Sequence, residues 1–195
     1  MICYNISRQF VCAILSLNKT TGYLITISAR CFALIVMFGY ACIPVGVFFI
    51  GGYIMYKLKT SAAFDSAHFL AGYNGKCANI HGHRWTLEVV AESSELIAEG
   101  EKRGMVIDFG DLKKAVRALA DKHDHALIYE EGTLRPATLT ALNEEGFRLI
   151  AVPFRPTAEN FARYFYEALR AEGLPVSSAT VYETPENCAI YEEEM

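Results

Sequence analysis

Acidic residues occur on only one side of Met55. Residues 1–54 hold Arg8, Lys19 and Arg30 but no Asp, Glu or His, together with four of the six Cys. Residues 55–195 carry 15 basic and 22 acidic residues, a net charge of -7, with all five His and the single Trp. In composition the part after Met55 is a different protein from the part before it. The chain is therefore expected to be two parts, a hydrophobic extension over 1–54 and a folded domain over 55–195.

Within the extension, 26 residues from Cys31 to Tyr56 contain no charge, more than the roughly 20 apolar residues needed to cross a bilayer. The stretch is a transmembrane candidate, although Pro44 and several Gly interrupt it. Arg30 on one side and Lys57 and Lys59 on the other give little asymmetry for orientation. A competing reading places the start of the working protein at Met55, because acids are absent before it, no clean signal-peptide cleavage pattern precedes it, and composition changes abruptly at a methionine.

The domain is acidic, so it lacks the clustered Lys and Arg that displace counterions from nucleic acid, and the expected ligand is small. Only Cys77 and Cys188 lie within it, too few for a disulfide framework, which suits a reducing, cytoplasmic setting. Cys188 reads as a small buried hydrophobe in a strand.

Alternation marks the first strands. Tyr56, Leu58, Ala62, Phe64 and His68 share one parity, and His81, His83, Trp85, Leu87 and Val89 share another, as in half-buried strands joined as a hairpin by a loop over 71–79. Asp108 is placed to cap a helix carrying Phe109, Leu112, Val116 and Leu119 on one side. Pro156 lies near the start of a second helix with Phe161, Phe165, Ala168 and Leu169 along its apolar side, and Gly173 and Pro175 end it. Val176–Glu183 and Cys188–Glu193 form a closing hairpin around 184–187. The expected fold class is α+β, an antiparallel sheet of four strands with two helices on one face.

The chemistry gathers on three histidines. His81 and His83, two apart in a strand, project to the same side, and His68 has the matching parity at the end of the preceding strand. Three neutral imidazoles suit zinc and leave a fourth position open, the arrangement of a catalytic site. Cys77 lies four residues before His81, where a nearby cation favours a thiolate that acts as a base; a fourth zinc ligand or an inert loop thiol fits the spacing equally. Asp124 and His125 end a polar cluster, DKHDH, which is either the solvated end of the first helix or a proton relay to the thiol. Glu183 shares parity with Ala179 and Val181, so a carboxylate on an apolar side either accepts two parallel N–H bonds from a ring edge or sits at a salt bridge or bulge.

Taken together, FDSAH, CANIHGH, GMVIDFGDLK, the Asp124–His125 pair, PTAEN at 156–160 and YET at 182–184 resemble the 6-pyruvoyl-tetrahydropterin synthase family, in order, from Met55 to Glu194. The resemblance implies the tunnelling fold, in which units of two helices and four strands assemble around a barrel as a homo-oligomer, usually a hexamer with active sites between subunits. It implies Zn2+ held by His68, His81 and His83, Cys77 as general base, Asp124 and His125 as its relay, and Glu183 as pterin anchor. Thr157 and Glu159 fall in a stretch that lines the substrate pocket in relatives.

The spacing of three residues between Cys77 and His81 is similar to that of the bacterial 6-carboxytetrahydropterin synthases rather than the longer gap of the animal pyruvoyl enzymes. That similarity implies conversion of 7,8-dihydroneopterin triphosphate to 6-carboxy-5,6,7,8-tetrahydropterin, acetaldehyde and triphosphate, in queuosine synthesis, with no redox cofactor. Formation of 6-pyruvoyltetrahydropterin, or a non-catalytic zinc-stabilised pterin-binding module, are the alternative readings. Lys76, Arg84 and Arg155 are candidates by position for the triphosphate. The segment Ile128 to Phe154 is longer than in the shortest relatives, and Ile128 stands where Asn is often found.

Overall fold

The computed structural model describes residues 54–193 continuously and, before them, five strands: β1 (Ile2–Ile6), β2 (Gln9–Asn18), β3 (Gly22–Ser28), β4 (Met37–Phe38) and β5 (Ala41–Cys42). The chain divides into two compact units, Met1–Ile54 and Met55–Met195. In the first, β1, β2 and β3 make an antiparallel sheet and β4 pairs with β5. The uncharged stretch from Cys31 to Tyr56 lies largely outside the described residues. Among those described, no helix is long and apolar enough to cross a membrane.

The second unit is built on β6 (Tyr56–His68) and β7 (His81–Ser93), an antiparallel pair running from Tyr56 opposite Ser93 to His68 opposite His81. Its alternation is the one expected: Thr60, Phe64, Ser66 and His68 of β6 and Trp85, Leu87, Val89 and Ala91 of β7 are buried, and the intervening residues are not. β10 (Val176–Thr184) adds to β7 and β11 (Asn187–Glu192) adds to β10, both antiparallel. These four strands are the expected antiparallel sheet, but Cys188, expected to be buried, is exposed, because on the edge strand β11 it is Ala189 and Tyr191 that face the core.

Two further strands correct the count. β8 (Ala126–Glu130) pairs parallel with the end of β6, and β9 (Leu149–Val152) pairs parallel with β8, giving one six-stranded sheet ordered β11-β10-β7-β6-β8-β9. Both are short apolar runs without alternation, the pattern periodicity reads least well. A third helix corrects the helix count. Besides α1 (Phe109–Asp121) and α3 (Ala158–Ala171), α2 (Pro136–Glu144) lies between β8 and β9 with no buried residue, so it lacks an apolar stripe to betray it.

Helices α1 and α3 cover one face of the sheet. Asp108 caps α1, its Oδ1 accepting from the amides of Gly110 at 2.7 Å and Asp111 at 3.2 Å. The buried stripe of α1 is Leu112, Val116, Leu119 and Ala120; Phe109, expected within it, is exposed. From α3, Phe161, Ala162, Phe165, Tyr166 and Leu169 are buried against Phe64, Trp85, Leu87 and Val181. Phe165 meets Phe64 edge-on with ring centres 5.9 Å apart, and Phe161 meets Trp85 at 5.2 Å. Truncating Trp85 or Phe161 to Ala in such a core costs about 3–5 kcal/mol. In outline this is the layout of a tunnelling-fold unit, a partly antiparallel sheet with helices packed on one face.

Candidate active site

The register of β6 and β7 makes the site. His68 faces His81 directly, and His83 faces Ser66, one side-chain step along. All three rings therefore emerge on the helix-covered face, with centres 4.4 to 5.2 Å apart. Trp85, the next inward residue of β7, floors the group; its ring centre lies 4.9 Å from His68 and 5.4 Å from His83. The fourth member comes from the opposite side. Glu183 sits near the end of β10, on the parity of the buried Ala179 and Val181 and beside the point where the pairing with β11 shifts between Tyr182 and Thr184. Its Oε1 lies 3.4 Å from His68 Nε2 and 3.6 Å from His83 Nε2.

Ligand atoms of His68, His81, His83 and Glu183 all lie within 4.8 Å of one another, so this cluster can coordinate a divalent metal ion. The ring hydrogen bonds favour the same chemistry. His68 Nδ1 lies 2.7 Å from the carbonyl of Pro156, and His81 Nδ1 lies 2.8 Å from that of Asn79. A carbonyl only accepts, so each Nδ1 carries a proton, and in the neutral ring that leaves the lone pair on Nε2, the tautomer a metal requires. The Nε2 atoms of all three histidines are buried and have no hydrogen-bond partner. Burial holds His68 well below the ordinary imidazole value, at about 4, and lowers His83 as well, so both favour the neutral form that ligates. An orphaned buried nitrogen is costly, and three aimed at one point fit an ion.

Cys77 lies on a single 3-10 turn, Lys76–Ala78, in the loop between β6 and β7. It is a free, half-buried thiol, and its carbonyl accepts from the Leu70 amide at 2.8 Å, which ties the loop to the end of β6. It is not among the four grouped ligand residues. Asp124 and His125 lie in the turn after α1. Asp124 Oδ1 accepts from the Asp65 amide at 2.7 Å, and its Oδ2 holds His125 Nδ1 at 2.7 Å. The Asp65 amide foremost, and then the His125 ring, hold the Asp124 carboxyl below the ordinary carboxylate range. With Nδ1 bound to a carboxylate, His125 presents Nε2 as a proton acceptor, and its ring is largely exposed.

Two cavities adjoin His83. One, about 510 Å³, is lined by Thr86, Tyr182, Glu183 and Thr184; the other, about 730 Å³, by Ile80, Arg84, His125, Phe147 and Arg148. Thr157 caps α3, its Oγ1 accepting from the Asn160 amide at 3.4 Å, and Glu159 is exposed in the first turn; neither belongs to the ligand cluster. Of the three basic candidates, Arg84 pairs with Asp65 at 2.8 Å, Arg155 donates to the Ala71 carbonyl, and Lys76 is exposed. Pro156 and Asn79, whose carbonyls fix the rings, escaped sequence reasoning because any residue carries a carbonyl. Only their places within PTAEN and CANIHGH hinted at a role.

Residues 57–194 match the family described as 6-pyruvoyl tetrahydropterin synthase. A 6-carboxy-5,6,7,8-tetrahydropterin synthase of Haemophilus influenzae is 41% identical over 142 residues, spanning 71% of this chain and 100% of that protein. One from Rickettsia felis is 32% identical over 142 residues, spanning 70% and 99%. Among solved structures, an uncharacterised protein of Wolinella succinogenes has a TM-score of 0.61 at 23% identity, over 72% of this chain and 99% of that one. A Plasmodium vivax 6-pyruvoyltetrahydropterin synthase has 0.54 at 19% identity, over 73% and 99%; at such identities the likeness is one of fold. With a family match running from the second residue of β6 to residue 194, and a relative sharing two residues in five over its whole length, this protein belongs to the 6-pyruvoyl tetrahydropterin synthase family.

Proposed function

We propose that this protein is a zinc-dependent 6-carboxy-5,6,7,8-tetrahydropterin synthase. It converts 7,8-dihydroneopterin triphosphate and one water to 6-carboxy-5,6,7,8-tetrahydropterin, acetaldehyde and triphosphate, as a step toward queuosine. The observation that carries this reading is the cluster of three buried, unpartnered histidine nitrogens beside Glu183, in a chain 41% identical to a protein of that name.

His68, His81 and His83 would hold the Zn2+, which when bound supplies Lewis acidity toward hydroxyl and carbonyl oxygens of the substrate side chain. Glu183 accepts N–H bonds from the pterin ring edge, turning ring binding into orientation; its place on the wall of the 510 Å³ cavity supports this role. The Cys77 thiolate removes the side-chain proton, and His125, its Nδ1 held by Asp124, takes and returns protons through Nε2. Thr157 and Glu159 contribute to the substrate pocket from the start of α3.

The exposed ring of His125 suits a site completed by a neighbouring copy, so the working form is a homo-oligomer, taken as a hexamer with sites between subunits. The catalytic unit is residues 55–195, and its setting is the cytoplasm. The test is turnover by the zinc-loaded chain, followed as acetaldehyde release, beside Cys77→Ala. The variant is expected to keep its metal and lose turnover. A Cys77→Ala chain that stays active, or that sheds its metal, contradicts the role given to the thiol.

A further inference from the structure

We propose that Arg148 is a positioning residue that holds the Asp124–His125 pair in its working geometry, an inference that rests on the catalytic reading above. The last carbonyls of a helix have no partner within it, and α1 ends at Asp121. In this chain the next three carbonyls each receive a donor from outside the helix. Arg148 Nη2 donates to Lys122 at 2.9 Å, Ser66 Oγ donates to His123, and Arg148 Nη1 donates to Asp124 at 3.0 Å. A planar guanidinium reaches two carbonyls at once, which the single ammonium of Lys does not reproduce.

The turn needs such a clamp. Among the described residues, His125 alone of the non-glycines has a positive φ, 51°, a conformation that residues with a Cβ adopt reluctantly. The His125 amide donates to the Asp65 carbonyl at 2.7 Å, and the Asp65 amide donates to Asp124 Oδ1, so β6 holds the turn from one side. Arg148 holds it from the other. Its own carbonyl accepts from the Leu127 amide at 2.9 Å, two residues past His125, so backbone and side chain of Arg148 bracket the pair. Without the fork, the turn is free to leave the left-handed conformation and carry the His125 ring with it. A displacement of about 1 Å at a catalytic group costs roughly a hundredfold in rate.

The test compares the full chain, zinc-loaded, with Arg148→Ala and Arg148→Lys, measuring kcat and KM for 7,8-dihydroneopterin triphosphate with and without added guanidinium. Arg148→Ala is expected to lose about 10- to 100-fold in kcat with KM within about twofold, and to keep its metal and melting temperature. Added guanidinium is expected to restore part of the lost kcat. Arg148→Lys, which also serves if the Ala variant fails to fold, is expected to fall between wild type and Ala. An unchanged kcat in both variants overturns the proposal, and so does a loss carried by KM, which would make Arg148 a grip on the triphosphate. A loss that tracks melting temperature and ignores guanidinium overturns it too, as a purely structural role. A wild-type chain without turnover overturns the reading of the reaction, whereas an active wild type with a fully active Arg148→Ala overturns the positioning role alone.

Discussion

Stripping the metal should destabilise the domain by an amount the site itself sets. The three Nε2 atoms of His68, His81 and His83 are buried without partners, and each such atom costs about 1–3 kcal/mol. The metal-free chain therefore carries roughly 3–9 kcal/mol of penalty, with water at the partly exposed His83 lowering the true figure. An ion present at about a thousand times its Kd returns about 4.1 kcal/mol, which falls inside that range. For a domain of this size each kcal/mol moves the melting temperature by about 2–4 °C, so zinc should raise it by roughly 8–16 °C. The assay is calorimetry of metal-free protein before and after addition of zinc to a free concentration of about a thousand times its Kd, repeated with His83→Ala. No rise in the wild type, or the same rise in His83→Ala, refutes the assignment of these nitrogens to a metal.

Other consequences follow from individual side chains. With Glu183 as the proposed ring anchor, Glu183→Ala should keep bound zinc while KM for the substrate rises by about tenfold or more; loss of zinc instead would make Glu183 a metal ligand. His123 is buried among Phe64, Phe161, Tyr164 and Phe165, with Nδ1 2.9 Å from the Leu119 carbonyl, and burial lowers its pKa below the ordinary value. The unfolded chain then takes up the proton first as pH falls, so the stability His123 contributes is full above about pH 6.5 and is lost as pH drops toward its lowered value. Urea midpoints of wild type and His123→Gln should therefore diverge in slope between pH 7.5 and 5, and parallel curves would refute this. If sites form between subunits, mixing inactive Cys77→Ala with inactive His125→Ala chains should restore about a quarter of wild-type activity; no recovery would place both groups in one chain.

The parts of the fold that alternate or punctuate themselves are legible in the amino-acid sequence. Period-two burial puts His68, His81 and His83 on one face, and the β6–β7 register then places them together. Asp108, Gly173 and the turn near 184–187 mark boundaries because capping and reversal demand particular residues. What is not legible has equally physical reasons. β8 and β9 are too short to show a period, and α2 buries nothing. Phe109 matches the spacing of the α1 stripe yet lies at the first helical position, beyond the sheet's cover. The partners that orient the site act through backbone carbonyls at Pro156 and Asn79, or from a distant segment in the case of Arg148. None of these leaves a side-chain pattern at its own position. Parity with Ala179 and Val181 puts Glu183 on the right face, but its approach to the histidines comes from the pairing of β10 with β7, strands far apart in the chain whose pairing alternation does not reveal.

The most direct measurement is the identity of the pterin formed when zinc-loaded protein, as the full chain and as a chain starting at Met55, is incubated with 7,8-dihydroneopterin triphosphate and analysed by mass spectrometry. The expected product is 6-carboxy-5,6,7,8-tetrahydropterin with acetaldehyde in equal amount, formed by both chains. Formation of 6-pyruvoyltetrahydropterin would contradict the proposed reaction while leaving the family and the site intact, and no product from folded, zinc-loaded protein would leave a pterin-binding module without catalysis.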